Sequence, residues 1–440
     1  MSAIAEMSEE EQSSNGSSFT TPPQSEVPNL PEWYREFQTR SWRDFGEFAM
    51  PTRRDEQWRF ANLKLSKLDA LALANEKTQS AVEIQGVRLE KAAARYEFAN
   101  NQLHSSEHFD LPGGVICLPI NEALAKHGDL VREHFMQEKA HIGGEKYFAL
   151  HGAATLSGLF VYVPKGVVVE KPIEVAHYAD GEGATIFPHL LVVSETNASV
   201  TIFEVFESLN ETDSTFCLGM TDLVAQDAGH VEYVGVQRWN DVSRHYQFAA
   251  SRGGRDSRTA NCLVNLGSKW ARNETVSRLN AAGADSKMLS VNLATKSQEF
   301  DQRTLQLHDS PHTTSDLLYK NALYETSKTI FSGLIRVGEE AHFTDAFQTC
   351  RNLLGSEKAE AHSMPGLEID ADQVKCSHGS TSGQISEEEI FYLRARGIDP
   401  DTARRMISFG FLNEALLQIK HEAVRELVAA KVEKRFAALA

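Results

Sequence analysis

The sequence lacks several features, and each absence removes a class of function. No run of about 18 apolar residues occurs, so no helix of this chain is expected to cross a membrane. No Gly-Lys dipeptide occurs, so there is no G-x-x-x-x-G-K-[ST] loop to cradle a nucleotide phosphate. ATP hydrolysis by this chain alone is not expected. Positive charge is in deficit: 44 Lys and Arg stand against 61 Asp and Glu, and the formal net charge is −17. Such a surface repels nucleic acid and anionic membranes. Cysteine is scarce and scattered. Cys117, Cys217, Cys262, Cys350 and Cys376 are odd in number and form no C-x-x-C. This argues against a disulfide framework and against a zinc ribbon, and free thiols suit a reducing compartment. The start M-S-A-I-A-E-M-S-E-E-E has no basic n-region, no apolar h-region and no arginine, so no secretory or transit signal is expected there. The expected location is the cytoplasm.

Catalytic signatures are equally sparse. Gly379-Ser380-Thr381-Ser382-Gly383 has the outline of a nucleophile elbow, but threonine stands at its centre. His421-Glu422 opens like a zinc-protease motif and lacks the second histidine. No paired carboxylates of the glycosidase kind stand out on the strand-like runs.

Hydrophobic residues make up 41% of the 440 and charged residues 24%, as in a folded globular protein. The length predicts two or three domains, or one body extended by repeats. Residues 1–28 are rich in Ser, Glu and Pro and are expected to be disordered. A helical and mixed segment follows over 29–150. Trp33, Phe37, Trp42 and Phe45 mark its first helix, with further helices predicted over 120–127 and 130–139. From 151 to 383 the period changes to two. Strands are predicted at 159–163, 167–169, 190–193, 200–205, 230–236, 246–249, 259–263, 287–293 and 304–307. Many short strands without intervening helices fit a sandwich, a barrel or a β-solenoid. No fixed repeat length is visible. Helical patterns return over 384–440. Ser386 and Glu389 form a capping-box pattern, Gly397 is a stop, and Asp399-Pro400 restarts a helix. One long amphipathic helix is predicted from Asn413.

Three places carry candidate chemistry. The run P-G-L-E-I-D-A-D-Q-V-K-C-S-H-G-S-T sets Cys376 and His378 two residues apart, on one face of an extended strand. Thiolate and imidazole are ligand types for iron, zinc and cluster sites, yet both common clusters need about four ligands. A partner chain or distant residues would have to complete such a site. The plain alternative is a buried cysteine and a hydrogen-bonded histidine. Cys350, in Q-T-C-R-N-L-L-G, is either a sulfur acceptor or a spare thiol, and its exposure and pKa decide. His342, Glu360 and His362 lie near it in sequence. Phe409-Gly410-Phe411 is either the core of the helical tail or part of a docking face.

The C-S-H-G-x-T run at 376–381 and the P-T-R-R-D-E-Q-W-R-F run at 51–60 resemble the SufB/SufD scaffold proteins of the SUF iron–sulfur cluster machinery. The likeness covers roughly residues 30–435. Within the family the first run looks like the SufD form, since SufB chains typically read E-H-E-A-T-T there. This resemblance implies a right-handed parallel β-helix flanked by N- and C-terminal helical domains. It implies a non-catalytic scaffold that pairs with a SufB-like subunit and binds a SufC-like ABC-type ATPase, with a homodimer possible in isolation. No permanent cofactor is implied, only iron or a cluster passing through a subunit interface. His378 would stand at that interface, with Cys376 beside it. Cys350 matches a functional cysteine of SufB chains and departs from the usual SufD pattern. The C-terminal helical region, with Phe409, Gly410 and Phe411, would dock the ATPase. Two alternatives remain at this point: a SufB-like chain that assembles the cluster itself, and a β-helix carbohydrate enzyme.

Overall fold

The computed structural model describes residues 17–22, 29–74 and 88–437. Its body is a parallel β-solenoid of about eight turns with helices at both chain ends. Successive strands alternate between an eleven-stranded and a ten-stranded sheet. Thus Ser199–Ser208 lies in the ten-stranded sheet, Phe216–Ala225 in the other, and His230–Arg238 in the first again. The alternation continues to Glu360–Ile369 and Lys375–Gln384, the last strand of each sheet.

Coil length is not constant. Arg244 pairs with Trp270, 26 residues on, whereas Lys328 pairs with Glu360, 32 residues on. This variation conceals the repeat from a fixed-period search. What repeats is a corner. Asn197, Ala228, Asp256, Gly283, His312, Phe343 and Gln373 all have positive φ, one per successive coil. Only one of the seven is glycine, so the usual turn signal is missing.

The interior is apolar in the first coils, around Val161, Val175, Val192 and Ile202, and polar in the later ones. Asn265, Asn292, Asn321 and Asn352 pair in register along the ten-stranded sheet. Each side-chain amide donates to the next at 2.6, 2.8 and 2.7 Å. Gln302 from the facing sheet donates to Asn321 at 2.8 Å. A buried amide costs free energy unless it is paired, and the ladder pairs its members. These inward polar residues also break the apolar alternation by which strands are recognised. Thr314–Leu323, with Asn321, and Asp345–Leu354, with Gln348 and Asn352, were not legible as strands for this reason; Phe216–Ala225, Trp270–Leu279 and Lys328–Val337 were not read from the sequence either, and all five are formed.

The outer faces are covered by the chain ends. Helices Glu32–Glu47 and Glu145–Ala154 pack together over the eleven-stranded sheet, burying Tyr34, Leu150, Phe160 and Leu191. Pro400–Leu416 and Glu422–Ala437 cover the ten-stranded sheet, packing Leu412, Leu416, Val424 and Val428 on Val234, Val264 and Val291. Ala94–Ala99 and Ile116–Pro119 join the sheets directly, so the segment before 150 is continuous with the solenoid. Of residues 1–28, only 17–22 fall within the described residues. Ser17 bridges to Leu68, and the Phe19 ring meets Phe187 edge-on at 6.0 Å.

Several local expectations need correction. Residues 167–169 form no strand; Val168 makes one isolated bridge to Ser199, and the strand Ile173–Ala179 begins after Pro172. The helix predicted over 130–139 is Gly128–His134. Its continuation is blocked at Met136, which adopts φ 47 and gives its N–H to the Asp222 carboxylate at 2.9 Å. Ser386 precedes helix Glu387–Arg394 but its side chain makes no capping bond. Asp399 does cap Pro400–Leu416, accepting from Thr402 N–H at 3.0 Å. The single helix expected from Asn413 is two helices. The Glu232 carboxylate takes the N–H groups of Lys420 and His421 at 2.6 and 3.0 Å, so the second starts afresh at Glu422.

Candidate functional site

The solenoid is open at its C-terminal end. Glu360–Ile369 and Lys375–Gln384 each pair on one side only. None of their residues is fully buried. The inward face of the last strand carries Cys376, His378, Ser380 and Ser382, stacked over Ala346, Gln348, Cys350 and Asn352. Cys376 and His378 therefore do share one face, as their spacing predicted. His378 is exposed, and its side chain makes no hydrogen bond among the described residues. Cys376 is half-buried, and its thiol pKa is raised, by burial first and then by the Asp345 carboxylate.

Cys350 lies one coil deeper and is fully buried. Its sulfur is ringed by Asn321 Nδ2 at 3.6 Å, Asn352 Oδ1 at 3.8 Å and Ser363 Oγ at 3.9 Å. Burial pushes the thiol up to about 12, so the proton stays on and the group is a poor nucleophile. The other histidines do not converge on it. His362 stacks on Phe60 at 4.9 Å beside Glu360, and His342 faces the Asp372 carbonyl at 3.2 Å. No group of three or more His, Cys, Asp or Glu residues is placed to hold a metal ion among the described residues. The open end thus presents two donor side chains, short of a closed site.

Trp58 of the 51–60 run is buried against the body. Its Nε1 donates to Gly143 O at 2.7 Å, and the Arg272 guanidinium lies 3.6 Å from its ring centroid. Arg272 is itself fully buried, paired with Glu274 and Asp301. This run is a clasp that seats the N-terminal segment on a buried charge network.

The helical tail differs from expectation in which residues it shows to solvent. Phe409 and Phe411 are partly buried against the sheet, with the Lys320 ammonium 4.3 Å from the Phe411 ring centroid. Gly410 is open to solvent. Leu417, at the end of helix Pro400–Leu416, is 63% exposed, and Phe391, Tyr392 and Met406 are 71%, 57% and 50% exposed. A cleft of about 440 Å³ beside them is lined by Glu388, Glu389, Tyr392, Leu393 and Ile407. The sequence signal for them was the pair Phe391-Tyr392 on a short helix that has room to bury only Ile390.

Residues 177–411 match the family described as SUF system FeS cluster assembly, SufBD core domain, and residues 31–175 match the SufBD protein N-terminal region. The chain belongs to the SufB/SufD family. It is 26% identical to the iron–sulfur cluster assembly protein SufD of Bacillus subtilis over 421 residues, 93% of this chain and 96% of that protein. It is 28% identical to SufD of Escherichia coli over 394 residues, 88% of this chain and 89% of that protein. SufB of Bacillus subtilis is 25% identical over 404 residues, 90% of this chain and 84% of that protein. As a SufB/SufD protein the chain has a role in SUF iron–sulfur cluster assembly. Its relatives are named as assembly proteins and not as enzymes.

Proposed function

We propose that this SufB/SufD protein is the SufD-type, non-catalytic scaffold subunit of a cytoplasmic cluster assembly complex. Its open end pairs with a SufB-like subunit, and its C-terminal helices receive a SufC-like ATPase. Iron or a nascent cluster is cargo at the subunit interface and is not a resident cofactor. One observation carries the reading: His378 and Cys376 share the inward face of the last strand at the free end of the solenoid, and both are ligand-type side chains. A second chain abutting there would pair the free strand edges and supply the missing donors. Phe391, Tyr392 and Met406 offer the apolar surface that an ATPase subunit would cover.

The test is His378→Ala in the complex reconstituted with both partner subunits. Cluster yield should fall while complex assembly and the unfolding midpoint hold, because the exposed imidazole supports nothing in the fold. Full cluster yield in this variant would sink the reading. Phe391→Asp with Tyr392→Asp should weaken ATPase binding; unchanged binding would move the docking face elsewhere.

A SufB-like chain that builds the cluster alone is favoured by the presence of Cys350. The burial of that thiol weighs against it. Incubating the chain alone with ferrous iron and sulfide separates the two readings: a stable cluster on the isolated chain would favour the second.

A further inference from the structure

The C-terminal helices are tied to the open end by a small set of contacts. Lys320 lies on the outer face of Thr314–Leu323, and its side chain is only 1% exposed. Its ammonium donates to the Glu414 carboxylate on helix Pro400–Leu416. Arg351, the register partner of Lys320 on Asp345–Leu354, reaches the same carboxylate oxygen at 3.5 Å. Glu414 therefore bridges two neighbouring coils to one helix. Nearby, Leu353 packs into the cluster of Ile385, Ile390 and Ala403, which joins helices Glu387–Arg394 and Pro400–Leu416 to the same strand.

These strands also form the floor of the open end. Side chains alternate across a strand, so Asn321 beside Lys320, and Cys350 and Asn352 beside Arg351, face inward. Asn321 donates to Asn352 at 2.7 Å, and Asn352 to Ser382 at 3.0 Å. Ser382 belongs to the strand that carries His378. The covalent route is as short: only Ile385 and Ser386 separate Lys375–Gln384 from helix Glu387–Arg394.

We propose that Glu414 is a positioning residue that couples the C-terminal helices to the open end. Movement imposed on the helices by a docked subunit is delivered through Lys320 and Arg351 to the last two coils, and so to His378. Apolar contacts such as Leu353 allow sliding. A carboxylate held by a buried ammonium does not, because parting them strands a charge away from water. This inference rests on the reading that the helices receive an ATPase subunit.

The test compares Glu414→Gln with the parent chain, since glutamine keeps the shape and removes the charge. In the isolated chain, amide exchange in 345–354 and 375–384 should accelerate about tenfold, with Ser199–Ser208 unchanged. No change in those two strands, or an equal change everywhere, overturns the proposal. In the complex with a SufB-like and a SufC-like subunit, ATP should alter exchange in 375–384 of the parent. Glu414→Gln should bind the ATPase with the same Kd and lose at least four-fifths of that ATP response, and Glu414→Asp should recover part of it. A full ATP response in Glu414→Gln overturns the coupling alone. Failure of the ATPase to protect Phe391 and Tyr392 in the parent overturns the docking reading, and the coupling with it.

Discussion

Asn321→Ala is the most demanding test of the polar interior. Asn321 is fully buried and sits at the crossing of two networks. Its amide nitrogen donates to Asn352 Oδ1 at 2.7 Å. Its oxygen accepts from Asn292 Nδ2 and from Gln302 Nε2, both at 2.8 Å. Truncation affects these partners unequally. Asn292 keeps Ser290 Oγ at 2.9 Å and Gln302 Oε1 at 3.3 Å. Gln302 keeps Thr329 for one of its two N–H bonds and loses the other. Asn352 Oδ1 is left with the Cys350 thiol at 3.8 Å. Two groups are stranded, each costing about 1–3 kcal/mol, so the expected loss is roughly 2–6 kcal/mol. Asn352→Ala strands mainly Asn321 Nδ2, which keeps only the Cys350 sulfur at 3.6 Å. The other partners of Asn352, namely Ser363, Thr381 and Ser382, lie in the last two strands, which hold no fully buried residue, and the Cys350 thiol keeps Ser363 Oγ at 3.9 Å. The expected cost of this substitution is about 1–3 kcal/mol. Urea unfolding followed by tryptophan fluorescence measures both, and amide exchange in Thr314–Leu323 reads the local effect. A cost below about 1 kcal/mol for Asn321→Ala, or one smaller than that of Asn352→Ala, would refute the ladder argument.

Three further outcomes are expected. Thiol labelling of the native chain should modify Cys376 and spare Cys117, Cys217, Cys262 and Cys350, all buried; labelling of Cys350 as fast as Cys376 would contradict its burial. Stability should decline in acid through buried neutral histidines. Burial lowers His308 to about 4 and His245 to about 3, below the unfolded value of about 6.5, so their contribution is whole above that value and is lost as pH falls toward the folded ones. For His308 this is about 2 kcal/mol by pH 5, at about 1.4 kcal/mol per pH unit, and His308→Gln should flatten the urea midpoint between pH 7.5 and 5 by that amount; an unchanged slope would count against it. Ala228→Gly should stabilise by roughly 0.5–1 kcal/mol, because Ala228 holds φ 53 at a coil corner where a side chain is strained; a lower thermal midpoint would reject the strain.

Legibility in the sequence followed the chemistry of each residue's surroundings. Leu190–Val193 and Val200–Val205 were readable as strands because apolar neighbours pack both of their faces. Trp270–Leu279 was not, because Arg272 and Glu274 are outward residues that the N-terminal segment covers with its own carbonyls and rings. The shared face of Cys376 and His378 was readable from strand geometry alone. The isolation of Cys350 was not. It depends on Ser363, Asn321 and Asn352, which arrive from three different strands. Phe409 and Phe411 could be read from the sequence as core or as docking face; their partial burial against the sheet, with Lys320 beside Phe411, is a tertiary contact that spacing could not show.

The amino-acid order by itself determined the local matters: that apolar runs such as Leu190–Val193 and Val200–Val205 are extended, where Asp399-Pro400 restarts a helix, and which ligand-type side chains share a strand face. These depend on backbone sterics and side-chain spacing within a few residues. Only the tertiary structure decided the coil lengths, the polar ladder, the burial of Cys350, the break at Glu232 and the free end that exposes His378. These depend on atoms a coil or more apart in sequence, 26 residues in the coil from Arg244 to Trp270, meeting across a coil or a helix–sheet contact. A buried polar group acquires its partner, its pKa and its cost only when those distant atoms arrive.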